Sequence, residues 1–126
     1  MAKSLKILTV DDFFSMRRIV KNLLKDLGYD EVLEADDGST AWKTLEEQKI
    51  DFIISDWNMP KMTGLDLLKK VRSDERMKGI PFLMVTAESE KGNVIEAVQA
   101  GVTNYIVKPF TPEVFKQKVE QIIAGI

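Results

Sequence analysis

The sequence predicts an α/β fold, a doubly wound three-layer sandwich around a parallel five-stranded sheet in the order 2-1-3-4-5. Three observations carry that prediction. Five short apolar runs alternate with five segments of helical period, the rhythm of parallel βα units with right-handed crossovers and helices on both faces. Only the run Glu31–Ala35 carries a charge in its interior, at Glu34, besides Glu31 at its start, which suits an edge strand and places the second strand outermost. The 126 residues also suffice for one domain with a real core and leave no room for a second.

Each element has its own signal. The strands are read at Lys6–Val10, Glu31–Ala35, Phe52–Ser55, Phe82–Thr86 and Asn104–Val107. Met16, Ile19, Val20, Leu23, Leu24 and Leu27 follow the spacing of an amphipathic first helix, and Gly28 stands where a helix end takes a left-handed residue. Ala41, Trp42 and Leu45 mark the second helix. Leu65, Leu68 and Val71 mark the third, with Thr63 placed to cap it. Ile95 and Val98 mark the fourth. Thr111-Pro112 opens the fifth with a capping hydroxyl and a proline at the first helical position, and Phe115, Val119, Ile122, Ile123 and Ile126 carry its apolar stripe. With no repeat, low-complexity segment or linker, residues 1–126 are read as a single domain without an output domain.

Composition narrows the chemistry. Eighteen basic residues nearly balance twenty acidic ones, so neither a nucleic-acid nor a membrane partner is expected. With no Cys and no His, there is no thiol nucleophile, imidazole base or nitrogen- or sulfur-ligated metal. Carboxylates, hydroxyls, lysines and a hard, oxygen-seeking cation remain. The opening MAKSLKILTV is too short for a signal peptide, and no apolar stretch could span a bilayer. A cytoplasmic protein is expected.

In an open parallel sheet, ligands bind outside the carboxyl ends of the strands, at the switch point of the winding. The run LTVDDFF puts Asp11 and Asp12 at that end of strand one, and Asp56 closes FIIS on strand three, its expected neighbour. Thr86 ends strand four and Lys108 follows strand five. Two unit charges about 4 Å apart repel by roughly 4 kcal/mol at an effective dielectric of 20, so three carboxylates call for a cation, and Mg²⁺ suits an all-oxygen site. A lysine beside a metal that recruits phosphate points to phosphoryl chemistry, with one carboxylate able to form an acyl phosphate. The seven glycines form neither GxxxxGK[ST] nor GxGxxG, and no Gly/Ser/Thr-rich loop after strand one offers a seat for a flavin phosphate.

VDDFFSMRRIV, ISDWNMPKMTGLDLL, MVTAE, QAG and VKPFT, in this order and spacing, resemble a response-regulator receiver domain over essentially the whole chain, most closely its single-domain chemotaxis members. The resemblance implies the flavodoxin-like (βα)5 fold. It also implies that Asp56 accepts a phosphoryl group from a phosphohistidine on a separate histidine kinase. Asp12, Asp56 and the backbone carbonyl of Asn58 would hold Mg²⁺, with Asp11 acting largely through water. Lys108, before a cis Pro109, would meet the phosphoryl oxygens. Thr86 and Tyr105 would form the switch, and Asn58 and Glu88 would tune dephosphorylation. Lys91, Val94, Tyr105 and Lys118 would form the partner surface, with Val94 partly exposed.

The implied protein is a monomeric phosphoacceptor rather than a turnover enzyme. A flagellar switch protein would be its target, and a phosphatase is a further candidate partner. Register with the family carries these assignments; residue type alone leaves Tyr105 a strand aromatic and Thr86 strand filling. Phe14 adds an aromatic beside the site, and Gln121 stands where well-known chemotaxis regulators have a lysine. The alternatives are a receiver relaying phosphate outside chemotaxis and a small Mg²⁺-dependent aspartyl phosphatase. Those phosphatases typically place DxD after strand one, whereas the acids here are adjacent.

Overall fold

Strand β1 (Ile7–Val10) is buried along its whole length, and the other strands are laid out on either side of it. The computed structural model describes residues 4–87 and 91–126, Lys91 by its backbone alone. After β1 come α1 (Phe14–Asp26), β2 (Val32–Ala35), α2 (Gly38–Glu47), β3 (Phe52–Asp56), α3 (Gly64–Ser73), β4 (Phe82–Ala87), α4 (Lys91–Gln99), β5 (Asn104–Lys108) and α5 (Pro112–Ala124). The sheet runs β2-β1-β3-β4-β5 with every neighbouring pair parallel. This is the expected order, and the charged run is indeed an edge.

Alternate strand residues feed two separate cores, as the two-residue period of a strand requires. Ile7, Phe52, Ile54, Leu83, Val85 and Ile106 face α1 and α5, where Val20, Leu24, Phe115, Val119 and Ile122 close over them. Leu8, Val10, Ile53, Phe82 and Met84 face the opposite layer, with Ala41 and Leu45 of α2, Leu65, Leu67, Leu68 and Val71 of α3 and Ala97 of α4. Each large side chain buried in this way contributes about 1.5–3 kcal/mol.

Helix boundaries follow the capping chemistry. Thr63 accepts from the Asp66 amide at 3.1 Å, and Thr111 accepts from the Val114 amide at 3.2 Å with Pro112 opening the helix. Gly28 adopts φ 97° just past α1. Four apolar residues placed on inward stripes are instead exposed: Ile19, Ile95, Val98 and Ile126. Ile126 lies beyond the end of α5. On α4 the buried position is Ala97, with Val94 half-buried one turn earlier, so the inward face uses the i, i+3 pair 94 and 97 and turns 95 and 98 outward.

The loop after β3 is built against its own strand. Gly64 donates from its amide to the Trp57 carbonyl at 2.9 Å. A Cβ at Gly64 would press on the Asp56 carbonyl and sit 2.9 Å from Met84 Sδ. Gly64→Ala should therefore lower stability by about 2 kcal/mol or more in urea denaturation, the range for overpacking. Gly79→Ala, where a Cβ meets nothing within 4 Å, should stay within about 0.5 kcal/mol.

Candidate functional site

Register brings the chemistry together. Val10 stands opposite Ser55, so Asp11 and Asp56 reach the carboxyl edge at the same level on neighbouring strands. Asp56 pairs with Val85 and Ala87 with Lys108, which places Thr86 and Lys108 at the same edge. Strands β3, β4 and β5 each run one residue beyond the expected apolar run, because the ladder continues through the residues that carry the chemistry.

Asp11, Asp12 and Asp56 each offer an oxygen within 4.8 Å of the others. Asp11 and Asp56 are buried, at 4% and 3% exposure, while Asp12 is exposed. Lys108 Nζ lies 2.9 Å from Asp56 Oδ1, and the Lys108–Pro109 peptide is cis. Burial drives the Asp11 carboxyl up from its ordinary 3.8 to about 6; the Phe13 N–H, 2.9 Å away, opposes this and the Asp56 charge adds to it. Burial also raises Asp56, against the hydrogen bond and charge of Lys108. Beside them, Thr86 is 2% exposed and its Oγ1 has no hydrogen-bond partner among the described residues. An unsatisfied buried hydroxyl costs about 1–3 kcal/mol, and Thr86 carries that cost at the strand edge that also holds the acids.

Residues 7–120 match the family model "Response regulator receiver domain". The chain belongs to the response regulator receiver family. It is 59% identical over 122 residues to chemotaxis protein CheY of Pseudomonas aeruginosa, covering 97% of this chain and 98% of the relative. Among solved structures it resembles chemotaxis response regulator CheY4 of Vibrio cholerae, with TM-score 0.87, 39% identity and coverage of 95% of this chain and 99% of that one. It also resembles the receiver domain of a Pseudomonas aeruginosa sensor histidine kinase, described with a magnesium ion coordinated in its active site cleft. That match has TM-score 0.86, 27% identity and coverage of 97% and 99%.

The remaining expected residues of this receiver domain lie in two places. Asn58 is exposed, two residues past Asp56, beyond the buried Trp57 whose amide donates to the Val85 carbonyl at 3.0 Å. Glu88 and the Lys91 side chain lie outside the described residues. Tyr105 and Lys118 are half-buried together, with the Lys118 ammonium 5.2 Å from the Tyr105 ring centre and 3.3 Å from Asn104 Oδ1. Val94 is partly exposed, as expected, but the larger apolar exposure beside it belongs to Ile95 and Val98, at 63% and 60%. Among the described residues no helix is long and apolar enough to cross a membrane.

Arg17, near the acids, had no role of its own in the sequence reading. Arg17 donates from Nη1 to the Asp11 carbonyl and from Nε to Glu34 Oε1. The paired arginines of SMRRIV sit on the flank of α1 rather than in its apolar stripe. That pattern marks a charged flank and leaves open which arginine turns inward.

The carboxyl of Asp11 titrates higher in the folded chain than at its ordinary 3.8, so the native state binds the extra proton and pays for losing it as pH rises. The penalty is absent below about pH 4, accumulates toward pH 6 and is complete above it, on the order of 3 kcal/mol. In EDTA at pH 7.5, Asp11→Asn should raise the urea midpoint, and the gain should vanish below about pH 4. A lower midpoint at pH 7.5 would show that local donors already satisfy the carboxylate.

Proposed function

We propose that this receiver domain is a chemotaxis response regulator whose Asp56 takes a phosphoryl group from the phosphohistidine of a separate histidine kinase. The observation that carries the reading is Asp56 itself: buried, 2.9 Å from the Lys108 ammonium, with two further carboxylates within 4.8 Å. Oxygen donors alone, more negative than one ammonium balances, fit a hard divalent cation. Asp12, Asp56 and the Asn58 carbonyl would hold Mg²⁺, and Asp11 would act through water. The cation, when bound, draws charge from the phosphoryl oxygens.

An Asp56 oxygen attacks phosphorus as the P–N bond to the donor imidazole breaks. The electron pair leaves on the ring nitrogen, which takes a proton. Lys108 shifts its contact toward the incoming oxygens. The donor acts in trans, since this chain has no His, and Asn58 and Glu88 govern the access of the water that later removes the phosphoryl group. The chain is a phosphoacceptor working in the cytoplasm as a monomer, not a turnover enzyme.

Strand register supports a route for the output. Thr86 pairs with Val107 and Met84 with Tyr105, so all four share the sheet face that α4 covers. Phosphorylation adds close to two negative charges, and the unpartnered Thr86 hydroxyl turns toward them. Tyr105, on the same face, follows into the space released. The surface that changes is Val94, Ile95 and Val98 of α4 with Tyr105 and Lys118, an apolar patch with a basic neighbour. It fits an acidic amphipathic segment, and the flagellar switch protein is the target this reading names.

Acetyl phosphate with Mg²⁺ should load one labile phosphate per chain and none on Asp56→Asn; many turnovers would favour the phosphatase reading instead. Ile95→Asp and Val94→Asp should abolish phosphorylation-dependent binding to the switch protein while leaving loading at Asp56 intact. Retained binding by both variants would remove this face from the output.

A further inference from the structure

Arg17 sits on α1 just past the acids and links two parts of the fold. Its Nε donates to Glu34 Oε1 at 3.1 Å, and its Nη1 donates to the backbone carbonyl of Asp11. The side chain is only 14% exposed and that of Glu34 31%. Glu34, on the edge strand β2, is braced from its other oxygen by Lys21 at 3.6 Å. The Phe14 ring lies 5.7 Å from the guanidinium carbon. Arg17 is therefore a fixed bracket between β2 and the turn that leaves β1.

The atom it holds matters. The Asp11 carbonyl lies in the same rigid peptide plane as the Asp12 amide, so fixing that oxygen fixes the base from which the Asp12 side chain sets out. Asp11 is also held by its own carboxylate, through the Phe13 amide at 2.9 Å. Asp12 has no such hold: it is exposed, and no hydrogen bond or ion pair of its carboxylate exists among the described residues. Repulsion from Asp11 and Asp56 acts to drive it outward.

We propose that Arg17 is a positioning residue for the divalent-cation site. By clamping the Asp11 carbonyl against Glu34, it holds the Asp11–Asp12 peptide in the orientation that keeps Asp12 beside Asp56. This rests on the reading of the acid cluster as an Mg²⁺ site. A guanidinium suits the task because its planar fork donates in two directions at once, whereas an ammonium is a point charge without that fixed geometry.

The sign of the effect separates the clamp from plain electrostatics. Removing a nearby positive charge, taken alone, strengthens cation binding; removing a clamp weakens it. Mg²⁺ titrations of the full chain, followed by Trp57 fluorescence and by calorimetry, should show Arg17→Met binding about tenfold or more weakly, the range for groups that orient metal ligands. Arg17→Lys should recover part of the loss. Glu34→Ala weakens binding on either account, so Arg17→Lys, which keeps the charge and loses the fork, serves as the test if Arg17→Met does not fold. Unchanged or tighter Mg²⁺ binding in Arg17→Met, or in Arg17→Lys where that variant stands in, overturns the proposal, whatever happens to the melting temperature in EDTA. A wild-type chain that fails to bind Mg²⁺ overturns the metal reading itself, so the two failures are distinguishable.

Discussion

Three carboxylates crowded onto one edge of the sheet, with one ammonium among them, form the constraint on which the rest of the structure depends. Asp11 and Asp56 are almost wholly buried, and their raised proton affinity records the tension between a dry site and a charged one. Charges so placed do not hold together by themselves; roughly 4 kcal/mol of mutual repulsion per close pair must be met by the surrounding fold. The parallel ladder does this by fixing where each strand ends. Val10 opposite Ser55, Asp56 opposite Val85 and Ala87 opposite Lys108 set the acids and the lysine at one level. Two apolar cores hold those registers from both faces, because a slip by one residue would turn every buried side chain to the wrong layer.

Both ends of the sheet are pinned by an arginine that binds backbone carbonyls. At the carboxyl edge Arg17 holds Asp11. At the amino edge Arg72 donates from Nε to the Gly101 carbonyl at 2.8 Å and from Nη1 to the Ile80 carbonyl at 2.7 Å. These bonds fix where β4 and β5 begin, and burial lowers the proton affinity of the guanidinium. Such charge-assisted bonds are stronger than neutral ones and reach carbonyls that no ladder partner serves. A site that must hold like charges in place benefits from rigid supports of this kind, since the alternative is a turn that relaxes away from the strain.

A core this well determined also limits how a signal can leave the site. Strand backbones with side chains buried on both faces have little room to move. What remains is a change in side chains that share a face, and Thr86, Met84, Tyr105 and Val107 do. Thr86 carries an unspent hydrogen bond, and Tyr105 is half-buried under Lys118. The exposed apolar residues of α4 lie beside them. On the proposed reading, a partner would bind the two states differently because one aromatic and one hydroxyl change place, not because the sheet deforms.

The sequence by itself determined the order of elements, the strand order, the helix caps and the positions of the acids, hydroxyl and lysine. These are local signals: an apolar run ends where the chain meets a polar edge, a capping hydroxyl precedes its helix, and a charged run marks a sheet edge. In a doubly wound fold, strand ends and active edge coincide, so locating the ends located Asp11, Asp12, Asp56, Thr86 and Lys108. The roles proposed for Tyr105 and Lys118 came from motif register, since nothing in their residue type sets them apart. Only the tertiary structure decided which face of a helix is covered. Ile19, Ile95 and Val98 fit an apolar period as well as their buried neighbours do, yet the elements that pack against α1 and α4 leave them exposed. It alone decided, too, that Arg17 rather than Arg18 reaches the Asp11 carbonyl and Glu34, and that Thr86 is left without a partner. Periodicity states that residues share a side; what lies against that side depends on contacts between segments far apart in the chain, which no local pattern encodes.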